Sequence, residues 1–404
     1  MTPADLSRTV AHAVRCAVED GELAARVEVP ERVVVERTRP GGVGDYASNI
    51  ALRIAGQAGR PPREVAELLR SRLTGADPHL RACPGSAARP TVGPGPGPGP
   101  GPGSGIGRVD VTGPGFLSFS LTGEAWAEVR ARVIAQREFY GYVGHGAPPV
   151  HAADSAQPAS AAPPAWTTDP SPRPRVVREA VARILRSQGR ADAPAPDHAP
   201  DHGPHPAAPA PAALRVAPVP RAEADVVARF GADAAAWAML AVPPHEVPVF
   251  ASPRLLRQDE SNEFFRVRYA YARSRALVRN ASVIGFGPDP RPAPAPAPAP
   301  APAAEPDPCA PAASAPAPEA PLLRALADHP LVLDAAAHHR APERLVRQLV
   351  VVADALLDFQ HHVLPLGDEK PSAAHRSRLA LAEAAGAVLA GGLALLGIGA
   401  PEYL

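Results

Sequence analysis

Ser261–Ala281 reads SNEFFRVRYAYARSRALVRNA. Phe265, Tyr269 and Leu277 recur at helical spacing, so the pattern predicts a helix over 262–280. Tyr269 and Arg273 lie four residues apart and share a face of that helix. Outward from this stretch every candidate element is helical: 225–240 upstream, then 321–326, 331–337, 342–359 and 373–396 downstream. An Ala-Pro repeat interrupts them with no apolar side chain large enough to build a core. The expected unit is an all-α bundle over 222–404, with a disordered insert at 287–320.

The other end of the chain has a different rhythm. Thr2-Pro3 is an N-cap and N1 pair, followed by Leu6, Val10, Val14 and Val18 at helical spacing, which predicts a helix over 3–19. EVPERVVVER, 28–37, is Val-rich and reads as a strand. Asp45 is placed to cap a second helix carrying Ile50 and Ile54. Pro62 can open a third, with Val65, Leu68, Leu69 and Leu73 on one face. Beyond a Gly-Pro repeat, residues 108–121 alternate as two strands around a Gly113-Pro114-Gly115 turn, and a helix from about 124 to 138 closes the module. This predicts an α+β domain over 1–142, with loop 82–106 disordered. Between the modules, 143–221 is mostly Ala, Pro, His and Asp and reads as a disordered Pro/Ala-rich linker, with one helical island at 175–187.

Composition narrows the function classes. Pro (54) and Gly (33) make up about a fifth of the 404 residues, so the ordered part is smaller than the length implies. The formal net charge is +0, so a nucleic-acid partner would need a local basic patch rather than a global one. Around the quoted helix, Arg254, Arg257, Arg266, Arg268, Arg273, Arg275 and Arg279 outnumber the acids, as a phosphate footprint or as the solvated face of an Arg-rich protein. Cys16, Cys83 and Cys309 are scattered and odd in number, which suits a reducing cytoplasm better than a disulfide framework. The apolar run 387–400 is too short to span a bilayer, so no membrane partner is expected. His198, His202 and His205 sit in an Asp-His-Pro tract with nothing to fix their geometry, so no metal site is expected.

Val267-Arg268-Tyr269-Ala270-Tyr271-Ala272-Arg273 resembles the opening helix of the anticodon-binding domain of arginyl-tRNA synthetases, where Gln is usual at position 268 and His at 271. Phe230-Gly231-Ala232-Asp233-Ala234, Leu322–Leu326 with Pro330, Pro342-Glu343-Arg344-Leu345 and the carboxy-terminal run from Arg378 to Glu402 are similar to later parts of that domain. Gly44–Leu52 and Gly113–Phe119 resemble the family's amino-terminal domain. The resemblance implies tRNA as partner, arginine tRNA first. It places RNA contacts at Tyr269, Arg273, Arg268, Arg266 and the terminal Leu404, and a tRNA-elbow contact at Asn49. Phe116 is expected in the core.

The family's nucleotide-binding catalytic core needs several βαβ units, and the linker has no room for them. Neither its His-x-Gly-His nor its Lys-Met-Ser-Lys signature is found; Lys370 is the only lysine. Val181–Arg186 resembles a remnant of the helix after the first signature. No catalytic residue and no cofactor are therefore expected. The alternatives left open are arginine–tRNA ligase activity, which would bring ATP as cofactor and need a protein partner carrying the core, and a protein-interaction module that binds no RNA.

Overall fold

The computed structural model describes residues 1–30, 32–39, 41–74, 105–143, 167, 171–190, 214–220, 225–250, 254–291 and 317–404. The disorder expected for most of 82–106, 143–221 and 287–320, and the His198, His202 and His205 tract, lie outside them. The chain divides into two compact units, Met1–Ala131 and Arg132–Leu404.

In the first unit, α1 (Pro3–Glu19) begins with a capping box. Thr2 accepts from the Asp5 amide, and the Asp5 carboxylate accepts from Thr2. A four-stranded antiparallel sheet of order β1-β2-β4-β3 follows, from β1 (Val35–Arg37), β2 (Tyr46–Ser48), β3 (Ile106–Thr112) and β4 (Phe116–Leu121). Only the last three residues of the Val-rich run pair as a strand, so the strand expected over 28–37 is shorter. Helices α2 (Ile50–Ala58) and α3 (Pro62–Leu73) complete the core with Ile50, Ile54, Val65 and Leu69. Asp45 caps no helix. Its carboxylate accepts from the Leu121 amide at 2.9 Å, and its own amide donates to Phe119 O at 2.7 Å. The chain can come this close because the preceding residue is Gly44, at φ 77°, where a Cβ would lie 2.7 Å from Phe119 O. Phe116, expected in the core, is 38% exposed at the tip of the β3–β4 turn; strand alternation turns its neighbours Leu117 and Phe119 inward instead. Arg72 is buried and pairs with Asp20 at 2.7 Å and Glu22 at 2.8 Å, joining α3 to the end of α1.

The division falls inside α4 (Gly123–Gln136) rather than near residue 142. The second unit is helical: α5 (Arg173–Ser187), α6 (Val226–Phe230), α7 (Ala232–Leu240), α8 (Glu263–Val283), α9 (Ala320–His339), α10 (Pro342–Phe359) and α11 (Ala373–Leu396). The helix expected over 225–240 is two, broken at Gly231 (φ 79°, ψ 162°). The two short helices expected around Pro330 are one, α9, with the proline inside. The α5 helix, expected as an island in the linker, packs against α7, α9, α10 and α11. It is fastened by Arg173, which is fully buried and donates to four carbonyls: Met239 (3.1 Å), Ala217 (2.7 Å), Glu246 (2.5 Å) and Pro243 (3.0 Å). Burial lowers the Arg173 pKa, offset by Glu246 and Glu343.

The α11 helix is the spine of the unit. By length and composition it could cross a membrane, contrary to the reading of 387–400 alone, but 78% of its apolar window is buried inside the unit, as in a core helix apolar all round. Its glycines let neighbours approach. A Cβ at Gly386 would lie 1.8 Å from Ser274 Oγ, one at Gly391 2.3 Å from Glu138 O, and one at Gly392 2.4 Å from a Leu349 methyl.

Candidate nucleic-acid interface

The α8 helix starts at Asn262, whose Oδ1 accepts from the Phe265 amide at 3.3 Å. Its Nδ2 donates to Leu255 O and Arg257 O, tying down the preceding turn. One side of α8 is committed to the core through Phe264, Val267, Ala270, Ser274 and Leu277. The other side presents Phe265, Arg266, Tyr269 and Arg273. Tyr269 is 40% exposed and lies on the Phe265 ring, with centroids 5.7 Å apart and planes 16° apart. Phe265 thus supports the tyrosine from below, and the spacing of four made that pair findable. Its expected place on a continuous face with Leu277 does not hold, because Leu277 is buried.

Arg273 Nε donates to Gln360 Oε1 at 2.6 Å, and Gln360 Nε2 donates to Leu357 O at 2.8 Å. The glutamine is therefore held by the end of α10 and orients the guanidinium one turn from Tyr269. A contact 87 residues apart leaves no local signal. Arg266 pairs with Asp354 at 3.0 Å and donates to Glu260 O at 2.7 Å. Burial pushes the Asp354 carboxyl up, against the pull of Arg266.

The other expected residues stand elsewhere. Arg268 faces inward, 5.2 Å above the Phe264 ring, where burial lowers its pKa against the pull of Asp233. Leu404 is 58% exposed at the carboxy terminus. Just before it, Tyr403 lies 4.4 Å under the Arg279 guanidinium. The tail is clamped by Glu402, which pairs with Arg275 at 3.1 Å and Arg279 at 3.8 Å; nothing in the local sequence signals this clasp. Asn49 belongs to the first unit. It precedes α2 without capping it, and its Oδ1 is buried with no hydrogen-bond partner. Of the seven arginines read as a patch, Arg266, Arg275 and Arg279 are paired with the chain's own carboxylates. What the α8 face offers is a stacked aromatic platform beside one oriented guanidinium. A splayed base can stack on such a platform, and the guanidinium can pair with a base edge or a phosphate.

The DALR anticodon binding domain matches residues 267–404, and the arginyl tRNA synthetase N terminal domain matches 5–82. The arginine–tRNA ligase of Frankia alni is 38% identical over 189 residues, covering 47% of this chain and 28% of the relative. That of Renibacterium salmoninarum is 37% identical over 142 residues, covering 35% and 21%. The chain thus aligns with only about a quarter of the length of these relatives. Thermus thermophilus arginyl-tRNA synthetase has a similar fold, with a TM-score of 0.51 at 15% identity, both chains being covered in full. With a match to the arginyl tRNA synthetase N terminal domain at one end and to the DALR anticodon binding domain at the other, the chain is related to the arginyl-tRNA synthetases.

Proposed function

We propose that this chain binds tRNA, arginine tRNA first, without charging it. The observation that carries the reading is the Phe265–Tyr269 stack with Arg273 held beside it by Gln360, within a domain whose family reads anticodons. Two further contacts are proposed, Leu404 near the anticodon and Asn49 at the tRNA elbow, with Arg266 and Arg268 in supporting positions. The non-catalytic part rests on the sequence, which has neither a His-x-Gly-His nor a Lys-Met-Ser-Lys signature. A cytoplasmic location belongs to the same reading.

Base–aromatic stacking contributes about 1–3 kcal/mol per base. Tyr269→Ala with Arg273→Ala should therefore weaken tRNA binding by at least roughly tenfold in a filter or fluorescence titration. Sequencing of the RNA retained by the purified chain should show arginine tRNAs enriched. Unchanged affinity in the double variant would remove the α8 face from the interface, and a chain that retains no RNA would leave the protein-interaction alternative.

The ligase alternative is favoured by one observation, the names of the curated relatives. It requires ATP and a partner supplying the core. The chain alone should give no arginine-dependent ATP–pyrophosphate exchange, and measurable exchange would overturn the non-catalytic reading.

A further inference from the structure

A second cationic surface stands at the opposite end of α10 from Gln360, roughly 27 Å away at 1.5 Å per residue. A cleft of about 730 Å³ opens there between the end of α9, the start of α10 and the segments around Arg215 and His245. Arg215, His245, His338, His339, Arg340 and Arg344 line it. No ion pair or side-chain hydrogen bond engages Arg215, Arg340 or Arg344 among the described residues. This is the reverse of the α8 face, where Arg266, Arg275 and Arg279 are already paired. The acid lining the cleft, Glu343, precedes Arg344 in the first turn of α10; it is buried, its Oε2 has no hydrogen-bond partner, and its charge acts on the Arg173 guanidinium. At the rim His245 lies 3.9 Å from Glu246.

Helix electrostatics explain only part of this set. Arg340 ends α9, where a cation offsets the helix dipole. Arg344 does not fit that account. It stands in the first turn of α10, whose N-cap residue Ala341 supplies no side-chain acceptor. A cation at that positive end is unfavourable on its own. Arg215 belongs to neither helix and converges on the same cleft. Three guanidiniums from three segments, none paired with an acid among the described residues, are suited to one kind of ligand, an anion with several oxygens.

We propose that this cleft is a second RNA contact, in which Arg215, Arg340 and Arg344 hold backbone phosphates of the same RNA whose bases meet the α8 face. The proposal rests on the tRNA-binding reading above. It divides the labour between the ends of α10, with stacking at one end and sequence-independent grip at the other.

The test is titration of the full chain with unfractionated tRNA at several salt concentrations. The triple variant Arg215→Gln, Arg340→Asn, Arg344→Gln uses Asn at 340 because that residue has φ 51°, which Asn tolerates. It should bind at least tenfold more weakly, with a salt slope shallower by roughly two, at about 0.7–0.9 for each phosphate no longer neutralised. Arg344→Gln alone, an exposed change that leaves the fold intact, should bind roughly threefold more weakly with a slope shallower by less than one. Wild-type affinity and slope in both variants, with the Tyr269→Ala, Arg273→Ala variant still impaired, would overturn this proposal and leave the α8 reading standing. Absence of tRNA binding by the wild-type chain would overturn both. Unchanged tRNA affinity with weakened retention on polyglutamate would assign the cleft to an acidic polypeptide and overturn the proposal as well.

Discussion

His329 is 2% exposed on α9, with its ring stacked against Tyr140 at 6.2 Å and its Nδ1 without a hydrogen-bond partner. Burial pushes its pKa from 6.5 down to about 4, so it is neutral in the folded chain. Above pH 6.5 neither state is protonated there and the full stability is present. As pH falls from 6.5 towards 4 the unfolded chain takes up a proton that the folded chain refuses, and stability drops by up to about 3 kcal/mol. His329→Phe keeps the ring stack and removes the titration. Denaturation at about pH 7, 6, 5 and 4 should show the stability difference between wild type and variant moving in the variant's favour across that window; a constant difference would mean that His329 does not titrate on unfolding. On the α8 face, the residue types Tyr and Arg were readable at 269 and 273. Which of the arginines faces outward was not, since Arg268 and Arg273 look alike in the sequence and differ only in what packs beside them.

At the scale of elements, helix ends were legible wherever a local rule governs them. Thr2 with Asp5 opens α1, Asn262 opens α8, and Pro342 opens α10. Breaks decided by packing were not. Pro330 cannot donate to the helix ladder, yet α9 continues through it, its turn packed closely on Gly141. The packing of α8 on α11 depends on Ser274 facing Gly386, where no room for a Cβ exists. Gly386→Ala should cost about 1–3 kcal/mol through overpacking despite its better helix propensity. Adding Ser274→Gly should return part of that loss, giving a coupling of about 1 kcal/mol in a double-mutant cycle by urea denaturation. Strict additivity would show that the cost of Gly386→Ala does not arise from its contact with Ser274.

At the scale of the whole molecule, the two units have separate cores, the first built around Leu6, Val10, Tyr46, Leu117 and Phe119, the second around α11. A fragment 1–136, which keeps α4 whole, should unfold in one cooperative step that coincides with one of two transitions of the full chain in calorimetry. If both units touch one tRNA, the full chain should bind it at least roughly tenfold more tightly than 132–404 alone; equal affinity would confine RNA binding to the second unit. The sequence by itself determined the mixed α+β unit, the helical unit and the relation of both to the arginyl-tRNA synthetases, because hydrophobic period, caps and short motifs are local properties. Only the tertiary structure decided that α5 is part of the helical unit, that Arg268 is turned to the core while Arg273 is held outward by Gln360, and that Arg215, Arg340 and Arg344 converge. Those outcomes depend on side chains tens to hundreds of residues apart, and on which charges find a partner inside the fold.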